Sequence, residues 1–478
     1  MLLADPQGTG LQKLNRNYVV IPFGDDGQLT AVTGYFFMKH AYPHHLSEEI
    51  LRLWDNFSER EPSKRYNKLP DGEVLEYLIS TCYQVSMMSE ELRSQRFRIA
   101  LCDLSEFPPE LGPPYGFLRI VFKEPRAFHE YELLKLSPAS EFESSLIGVC
   151  HDPAKGLQIW GLINSGTRWI QAFQGGSKTI MPMPDSLVLD ITGPGSIRAY
   201  RASNILAQLS AGRITMPHTN VLHSRWLTRR VESVHKEIME VHIRSRPDAD
   251  IAWATISESF VARLYEQVIK RIISSIRNMK HGGIIILFPP SLIQRITSPN
   301  TYVFIKYMFK DEEPVRRLRC LTVGIMNELA KHYGSSKEPG KVVGWGEYVV
   351  ATKKTLLELD EALFECARFI ANLATVDGAV ILTTGLDLVG FGAVIKGTFS
   401  KEEIIARAID AEGEQRVYER AEGVGTRHLA AYHLCKEIPD VLATVISQDG
   451  NTSLVTWMND FVTYWDFLPM TVADPEFV

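Results

Sequence analysis

Hydrophobic residues along the chain alternate between helical spacing and strand-like spacing. From Val74 to Cys82 they recur three and four positions apart, which predicts a helix. Short strand-like runs separated by Gly, Pro and Asn turns fill residues 145–214 and predict a small antiparallel β module. A helical pattern over 252–280 precedes a wholly apolar run, 284–288, which predicts a buried strand.

The C-terminal part of the chain changes between helix and strand several times. Ser400 followed by Glu403 has the form of a capping box and predicts the start of a helix. The other predicted elements are helices at 356–373 and 427–437, and strands at 379–383, 388–395, 441–446 and 452–457.

These patterns predict a multidomain α/β protein. An N-terminal α+β region with a small β module would precede a C-terminal α/β domain with a mixed sheet. Because 478 residues are too many for one compact core, we expect several domains. The predicted parts are an N-terminal region at 1–144, the β module at 145–220, a helical region with one buried strand at 221–340, and the α/β domain at 346–460.

Composition narrows the classes of partner. The formal net charge of −6 gives no sign of a nucleic-acid partner or of adhesion to anionic membranes. The six cysteines are widely separated and form no Cys-x-x-Cys pair, as expected for a reduced protein without structural zinc. The first ten residues lack the apolar core of a secretory signal, and no apolar stretch is long enough to span a bilayer. We therefore expect a cytoplasmic location and no membrane partner.

Two short motifs carry the candidate chemistry, Asp377-Gly378-Ala379 and Gly425-Thr426-Arg427-His428. A carboxylate beside a strand can hold a divalent metal, and a helix start offers N–H groups, a hydroxyl and a guanidinium to phosphates. The structural alternatives are a simple turn at Asp377 and a helix start capped by Thr426. A helix start capped by Thr426 would leave Arg427 unexplained, because a cation in the first helical turn opposes the helix dipole.

In order and spacing these motifs resemble the diadenylate cyclase domain, the N-terminal domain of the DNA-integrity scanning protein DisA. The resemblance covers roughly residues 346–460. It rests on four ordered segments: Val376–Val380, Gly390–Val394, Gly425–Ala431 and Val445–Leu454.

The resemblance implies an ATP-like ligand with Mg²⁺ or Mn²⁺. In the family, two ATP-loaded domains face each other and each 3′-hydroxyl attacks the other's α-phosphate to give cyclic di-AMP, so a homo-oligomer is expected. Asp377 would be the catalytic residue that binds metal and activates the hydroxyl, with Asp449 as a second metal ligand. The implied nucleotide-binding residues are Gly378, Ala379, Gly392, Gly425, Thr426, Arg427, His428 and Ser447.

The chain departs from the family pattern at two places. The second arginine of the family's Gly-Thr-Arg-His-Arg motif is Leu429 here, and the paired glutamates of the later turn are Gln448 and Asp449. Because phosphoryl transfer depends on positioning and charge stabilisation, these changes favour binding without catalysis.

The whole chain also resembles the sensor branch of these proteins, the DACNV type, in which a diadenylate-cyclase-like domain follows a long N-terminal region. The segments that carry this resemblance are Ser145–Val149, Trp160–Gly166, Gly193-Pro194-Gly195 and His281-Gly282-Gly283. The leading hypothesis is therefore a sensor that binds ATP or a cyclic dinucleotide. The alternatives are an active diadenylate cyclase and a scaffold that keeps the fold without the ligand.

Overall fold

A computed structural model describes the greater part of the chain. The described residues are 2–4, 11–13, 40–60, 69–90, 93–106, 112, 116–142, 144–166, 184–202, 204–215, 221–246, 253–279, 281–299, 301–334, 340–448 and 450–466. Between residues 40 and 469 the chain divides into two compact units, residues 40–217 and residues 218–469. Near the N-terminus two short strands, β1 (Leu2–Ala4) and β2 (Leu11–Lys13), pair antiparallel.

The first unit, residues 40–217, combines helices with an eight-stranded mixed sheet. Its helices are α1 (Pro43–Arg60), α2 (Gly72–Met87) and α3 (Glu130–Leu136). Its strands are β3 (Ser89–Glu90), β4 (Arg93–Ser94), β5 (Phe97–Leu101), β6 (Leu118–Ala127), β7 (Ser145–Asp152), β8 (Gly156–Asn164), β9 (Leu187–Gly193), β10 (Ser196–Arg201), β11 (Asn204–Ser210) and β12 (Arg213–Thr215). The order in the sheet is β12-β11-β10-β9-β5-β7-β8-β6, while β3 and β4 pair with each other.

Helix α2 confirms the helix predicted from its apolar spacing. It begins after Asp71, whose side chain accepts a hydrogen bond from the Val74 N–H at 3.0 Å. The strands predicted for the β module at 146–149, 157–163, 186–191 and 196–201 are observed as β7 to β10, and the strand-like run at 168–173 lies outside the described residues. These strands belong to a larger sheet, because β5 lies between β7 and β9, and β6 pairs with β8.

The second unit, residues 218–469, contains a nine-stranded mixed sheet between two helical layers. Its helices are α4 (Arg225–Arg244), α5 (Glu258–Asn278), α6 (Ile293–Thr297), α7 (Arg317–Tyr333), α8 (Trp345–Val350), α9 (Lys354–Leu373) and α10 (Thr426–Glu437). Its strands are β13 (Thr255–Ile256), β14 (Gly283–Phe288), β15 (Val303–Met308), β16 (Val342–Val343), β17 (Ala379–Thr383), β18 (Leu388–Ile395), β19 (Ile404–Ala408), β20 (Arg416–Arg420), β21 (Leu442–Ile446), β22 (Thr452–Met458) and β23 (Phe461–Asp466). The sheet order is β15-β18-β17-β14-β21-β22-β23-β19-β20.

Strand β14 is buried on both faces and joins the two hydrophobic cores of this unit. Ile285 and Leu287 pack with α4, α5, α7 and α9, whereas Ile284, Ile286 and Phe288 pack into the core that contains α10. This explains the uninterrupted apolar run in the sequence. Although β14 comes from the predicted region 221–340, it lies between β17 and β21 of the predicted domain 346–460. The four-part division itself stays a prediction.

The predicted multidomain α/β class with mixed sheets is confirmed, but one predicted element is wrong. The capping-box pattern at Ser400 and Glu403 does not open a helix, since the chain continues as β19. The Ser400 N–H does donate to the Glu403 carboxylate at 3.4 Å, so the pair closes a turn instead. Strand β19 pairs with β20 and β23, and this tertiary pairing outweighs the local signal.

Candidate functional site

The segments that carry the predicted motifs meet at one end of the nine-stranded sheet. Strands β14 and β17 are parallel, with Ile284 beside Ala379, and β21 is antiparallel to β14, with Ile446 beside Gly283. The segments that enter β14 and β17 and the segment that leaves β21 therefore lie at the same end of the sheet. We call this end the motif end; it comprises residues 281–283, 377–379 and 446–448.

Helix α10 begins with unpaired backbone donors. Gly425 is its N-cap, with φ −71° and ψ 164° and no side-chain cap, so the alternative prediction of a Thr426 cap is wrong. The N–H groups of His428 and Leu429 donate to the Gly425 carbonyl at 3.0 and 3.2 Å. The N–H groups of Thr426 and Arg427 make no hydrogen bond to the described part of the chain, which leaves two donors for an anion.

The guanidinium of Arg427 lies over Gly282 at the motif end. A Cβ atom added at Gly282 would lie 2.9 Å from Arg427 Nη1, 2.8 Å from the Ile446 carbonyl oxygen and 3.1 Å from the Gln448 nitrogen. Gly282 also has φ +71°, which disfavours any other residue. Arg427 is partly buried and makes no ion pair or hydrogen bond with the described residues. Its guanidinium therefore has no counterion among the described residues.

A second arginine reaches the turn between β21 and β22. Arg277 lies in the last turn of α5, and its Nε is 3.6 Å from the position of a Cβ added at Gly450. That nitrogen is buried without a hydrogen-bond partner in the described chain. Neither sequence motif contains Arg277, because this residue belongs to a helix that is far from both motifs in sequence. The feature of the sequence that could have identified Arg277 is its position just before His281-Gly282-Gly283.

Asp377 is an exposed carboxylate between α9 and β17. It makes no hydrogen bond or ion pair with the described part of the chain. The bend between α9 and β17 carries this carboxylate into solvent. An exposed, unpaired carboxylate remains suited to metal binding.

The glycines near Asp377 allow two backbone segments to approach each other. Gly378 has φ +118°, and a Cβ added there would lie 2.5 Å from the carbonyl carbon of Gly392. Gly392 has φ +62° and lies against the Tyr307 ring. Ala379 is buried in β17. The requirement for glycine at 378 therefore arises from close packing against β18, and its predicted role toward a ligand stays a prediction.

His428 points toward the sheet beneath α10. Its Nε2 lies 3.5 Å from Ser453 Oγ, which in turn donates to Asp466 Oδ1 at 2.7 Å. Burial lowers the pKa of His428, while the charge of Asp466 acts in the opposite direction. The His428 ring also meets the Tyr432 ring edge-on, at 6.0 Å between centroids. The ring therefore packs beneath α10, and the predicted contact of His428 with a nucleotide stays a prediction.

Ser447 closes the turn that follows β21. Its N–H donates to the Asn451 carbonyl at 2.9 Å, and its hydroxyl accepts from the Asn451 N–H at 3.1 Å. The predicted metal ligand Asp449 lies outside the described residues.

No cluster of three or more His, Cys, Asp or Glu side chains that could hold a metal occurs among the described residues. Mg²⁺ in nucleotide sites is commonly held by one or two carboxylates together with ligand phosphates and water. The exposed Asp377 fits that pattern, in which the metal arrives with the nucleotide.

Comparison with known proteins supports the sensor assignment for part of the chain. Residues 64–164 match the family model described as "Probable sensor domain DACNV". No curated protein and no solved structure matches the chain. Among the described helices, none has the length and apolar character that crossing a membrane requires.

The matched segment contains a surface cavity of about 330 Å³. It lies beside the first turns of α2 and the turn between β7 and β8. The Tyr77 hydroxyl donates to the Phe128 carbonyl at 3.2 Å along this cavity, and Glu73 and Lys155 contribute opposite charges to its lining. The volume is at the lower end of the range for small-ligand sites.

Proposed function

We propose that the second unit binds a nucleotide through its phosphates at the motif end and that the protein acts as a sensor of this ligand. The observation that carries the proposal is the Arg427 guanidinium. It is held over Gly282 at the start of α10 without an acidic partner among the described residues. Since a cation in the first helical turn opposes the helix dipole, an anionic ligand there would remove the conflict.

Asp377 would bind Mg²⁺ or Mn²⁺ together with the ligand phosphates. It lies at the same end of the sheet as Arg427, and the motif order resembles that of diadenylate cyclase domains. The metal would neutralise phosphate charge and orient the phosphates. Arg427 and the free N–H groups of α10 would supply the remaining charge and hydrogen bonds.

Leu429 supports sensing over synthesis. Its side chain packs against the core beneath α10, so the first turn of this helix carries a single guanidinium. A charge-assisted contact contributes about 1.5–3 kcal/mol, and its loss from a phosphoryl-transfer transition state would reduce the rate about tenfold or more. The match of residues 64–164 to a probable sensor domain agrees with this choice.

An active diadenylate cyclase is the second candidate, and the exposed, unpaired Asp377 favours it. In that case two copies of the chain would have to face each other with ATP bound. Incubation with ATP and Mg²⁺ or Mn²⁺, followed by mass spectrometry of the nucleotides, separates the candidates. The sensor proposal expects intact ATP that is bound by the protein and raises its melting temperature.

Asp377→Ala is the informative variant, and Asp440→Ala is its matched control. Asp440 is also exposed but precedes β21 at the other end of that strand. Asp377→Ala should abolish the metal-dependent part of ATP binding, whereas Asp440→Ala should not. Cyclic di-AMP formed by the natural chain and lost in Asp377→Ala would establish the enzyme instead. Unchanged affinity in Asp377→Ala would refute both candidates as stated.

A further inference from the structure

We propose that the surface cavity of the first unit is a second ligand site, and that its ligand is a free amino acid with an apolar side chain. The cavity has a volume of about 330 Å³ and lies between the first turns of α2, the end of β6 and the start of β8. It belongs wholly to the first unit, so this inference does not rest on the nucleotide site proposed for the second unit.

Hydrogen bonds between three segments define the walls of this cavity. The Phe128 N–H donates to the Leu157 carbonyl at 3.1 Å and connects the end of β6 to β8. The Tyr77 hydroxyl donates to the Phe128 carbonyl at 3.2 Å, so α2 is joined to the same segment. On the β8 side, the Gln158 amide donates to the Lys155 carbonyl at 3.1 Å and supports the turn. The fold itself therefore forms the cavity, as is usual for small-ligand sites.

The lining of the cavity combines a buried apolar floor with a charged rim. Phe128 and Leu157 are buried, whereas Glu73 and Lys155 are exposed. The two charged residues come from different elements and form no ion pair with each other. An ammonium group can therefore bind Glu73 and a carboxylate can bind Lys155, while an apolar side chain covers the floor.

The two charges and the volume together define the class of ligand. A ligand with only negative charge would be repelled by Glu73, and one with only positive charge would be repelled by Lys155. A small zwitterion is attracted by both residues, and the volume, at the lower end of the range for small-ligand sites, suits a single amino acid. All the lining residues fall within residues 64–164, the segment that matches the probable sensor domain, and this supports a small-molecule site here.

A purely structural role for the charged residues makes a different prediction. Glu73 lies in the first turn of α2, where a carboxylate interacts favourably with the helix dipole. In that case Glu73→Gln would lower the melting temperature and would not distinguish between ligands of different charge. Matched ligands that each lack one charge separate the two roles, because helix stability does not depend on the charge of the ligand.

The test is calorimetric titration of the full chain with L-leucine, isocaproate and isoamylamine. Isocaproate is leucine without its ammonium group, and isoamylamine is leucine without its carboxylate. Leucine should bind about five- to tenfold more tightly than either analogue, the scale of one charge-assisted contact. Glu73→Gln should weaken the binding of leucine and isoamylamine by a similar factor and should not weaken the binding of isocaproate. Lys155→Gln should weaken the binding of leucine and isocaproate but not that of isoamylamine.

Glu76→Gln and Lys135→Gln are the matched controls. Glu76 is exposed on α2 and Lys135 is exposed in the last turn of α3, and neither residue lines the cavity. Both controls should bind all three compounds as the natural chain does. Absence of leucine binding, or equal affinity of the natural chain for all three compounds, would refute the inference without any variant. Equal weakening of isocaproate and isoamylamine binding by Glu73→Gln would also refute it. The affinity for ATP is measured separately, so failure of the nucleotide proposal leaves this result unchanged.

Discussion

The substitution Gly282→Ala tests whether the position of Arg427 depends on the backbone beneath it. Gly282 immediately precedes β14, and its φ of +71° is one that L-residues rarely adopt. The added Cβ would lie 2.8 Å from the Ile446 carbonyl oxygen and 2.9 Å from Arg427 Nη1. The guanidinium can swing away, but the carbonyl belongs to the paired strand β21 and cannot move without disturbing the sheet.

Two costs add in Gly282→Ala. The positive φ costs a non-glycine residue about 1–2 kcal/mol. Overpacking against the Ile446 carbonyl costs about 1–3 kcal/mol more. We therefore expect the free energy of unfolding of this unit to fall by about 2–5 kcal/mol. We also expect weaker ATP binding, because Arg427 must leave its position over residue 282.

Gly340→Ala is the matched control within the same unit. Gly340 has φ +88°, and no atom of the described residues lies within 4 Å of an added Cβ, so we expect this variant to carry the conformational cost alone. Urea unfolding and calorimetric titration with ATP and Mg²⁺ should be done on both variants. Gly340→Ala should lose about 1–2 kcal/mol of stability with unchanged ATP affinity. If the two variants match in both measurements, the close packing of Arg427 over Gly282 is refuted.

Three further predictions concern the rest of the fold. The buried Arg271 pairs with Asp360 at 2.7 Å. Asp360→Ala should therefore destabilise the second unit by about 3–5 kcal/mol in urea unfolding, because Arg271 loses its counterion. A loss of stability below about 1 kcal/mol would contradict this prediction. Burial lowers the pKa of His235 to about 4, so the unfolded state binds the proton more readily and stability should fall as the pH drops from about 6.5 toward 4. His235→Phe should flatten that pH dependence, and an unchanged slope would count against it. A thiol reagent at mildly alkaline pH should label the exposed Cys320 but not Cys435, because burial raises the pKa of Cys435 to about 12. Peptide mass spectrometry measures the labelling, and a label on Cys435 would contradict this prediction.

Local patterns predicted most of the secondary structure correctly, because they record burial. The apolar spacing of α2 and the uninterrupted run of β14 each reflect the core that surrounds them. The pattern at Ser400 failed for the opposite reason. A capping box reports two local hydrogen bonds, which a turn satisfies as well as a helix. The partners of β19 come from β20 and β23, and no local window contains the residues of β23.

The motifs predicted which segments would meet, but not their surroundings. The convergence of Asp377 and Arg427 at one end of the sheet follows from the pairing of β14 with β17 and β21, and β14 lies well before both motifs in sequence. The exposure of Asp377 depends on the bend after α9, and the proximity of Arg277 depends on how α5 enters β14. These features depend on tertiary packing, which cannot be predicted from the residue spacing within one motif.

Under the proposed function, the motif end would separate ligand binding from metal binding. Arg427 is partly buried at the start of α10, and its Nη1 lies 2.9 Å from the position of a Cβ added at Gly282. Asp377, in contrast, is exposed in a bend, and its carboxylate makes no hydrogen bond or ion pair with the part of the chain that the structure describes. Loss of Arg427 should therefore weaken ATP binding both with Mg²⁺ and with a chelator present. Loss of Asp377 should matter only with Mg²⁺. If both residues bind the ligand as proposed, a partly buried cation beside an exposed carboxylate is better suited to recognising phosphates than to aligning them for reaction.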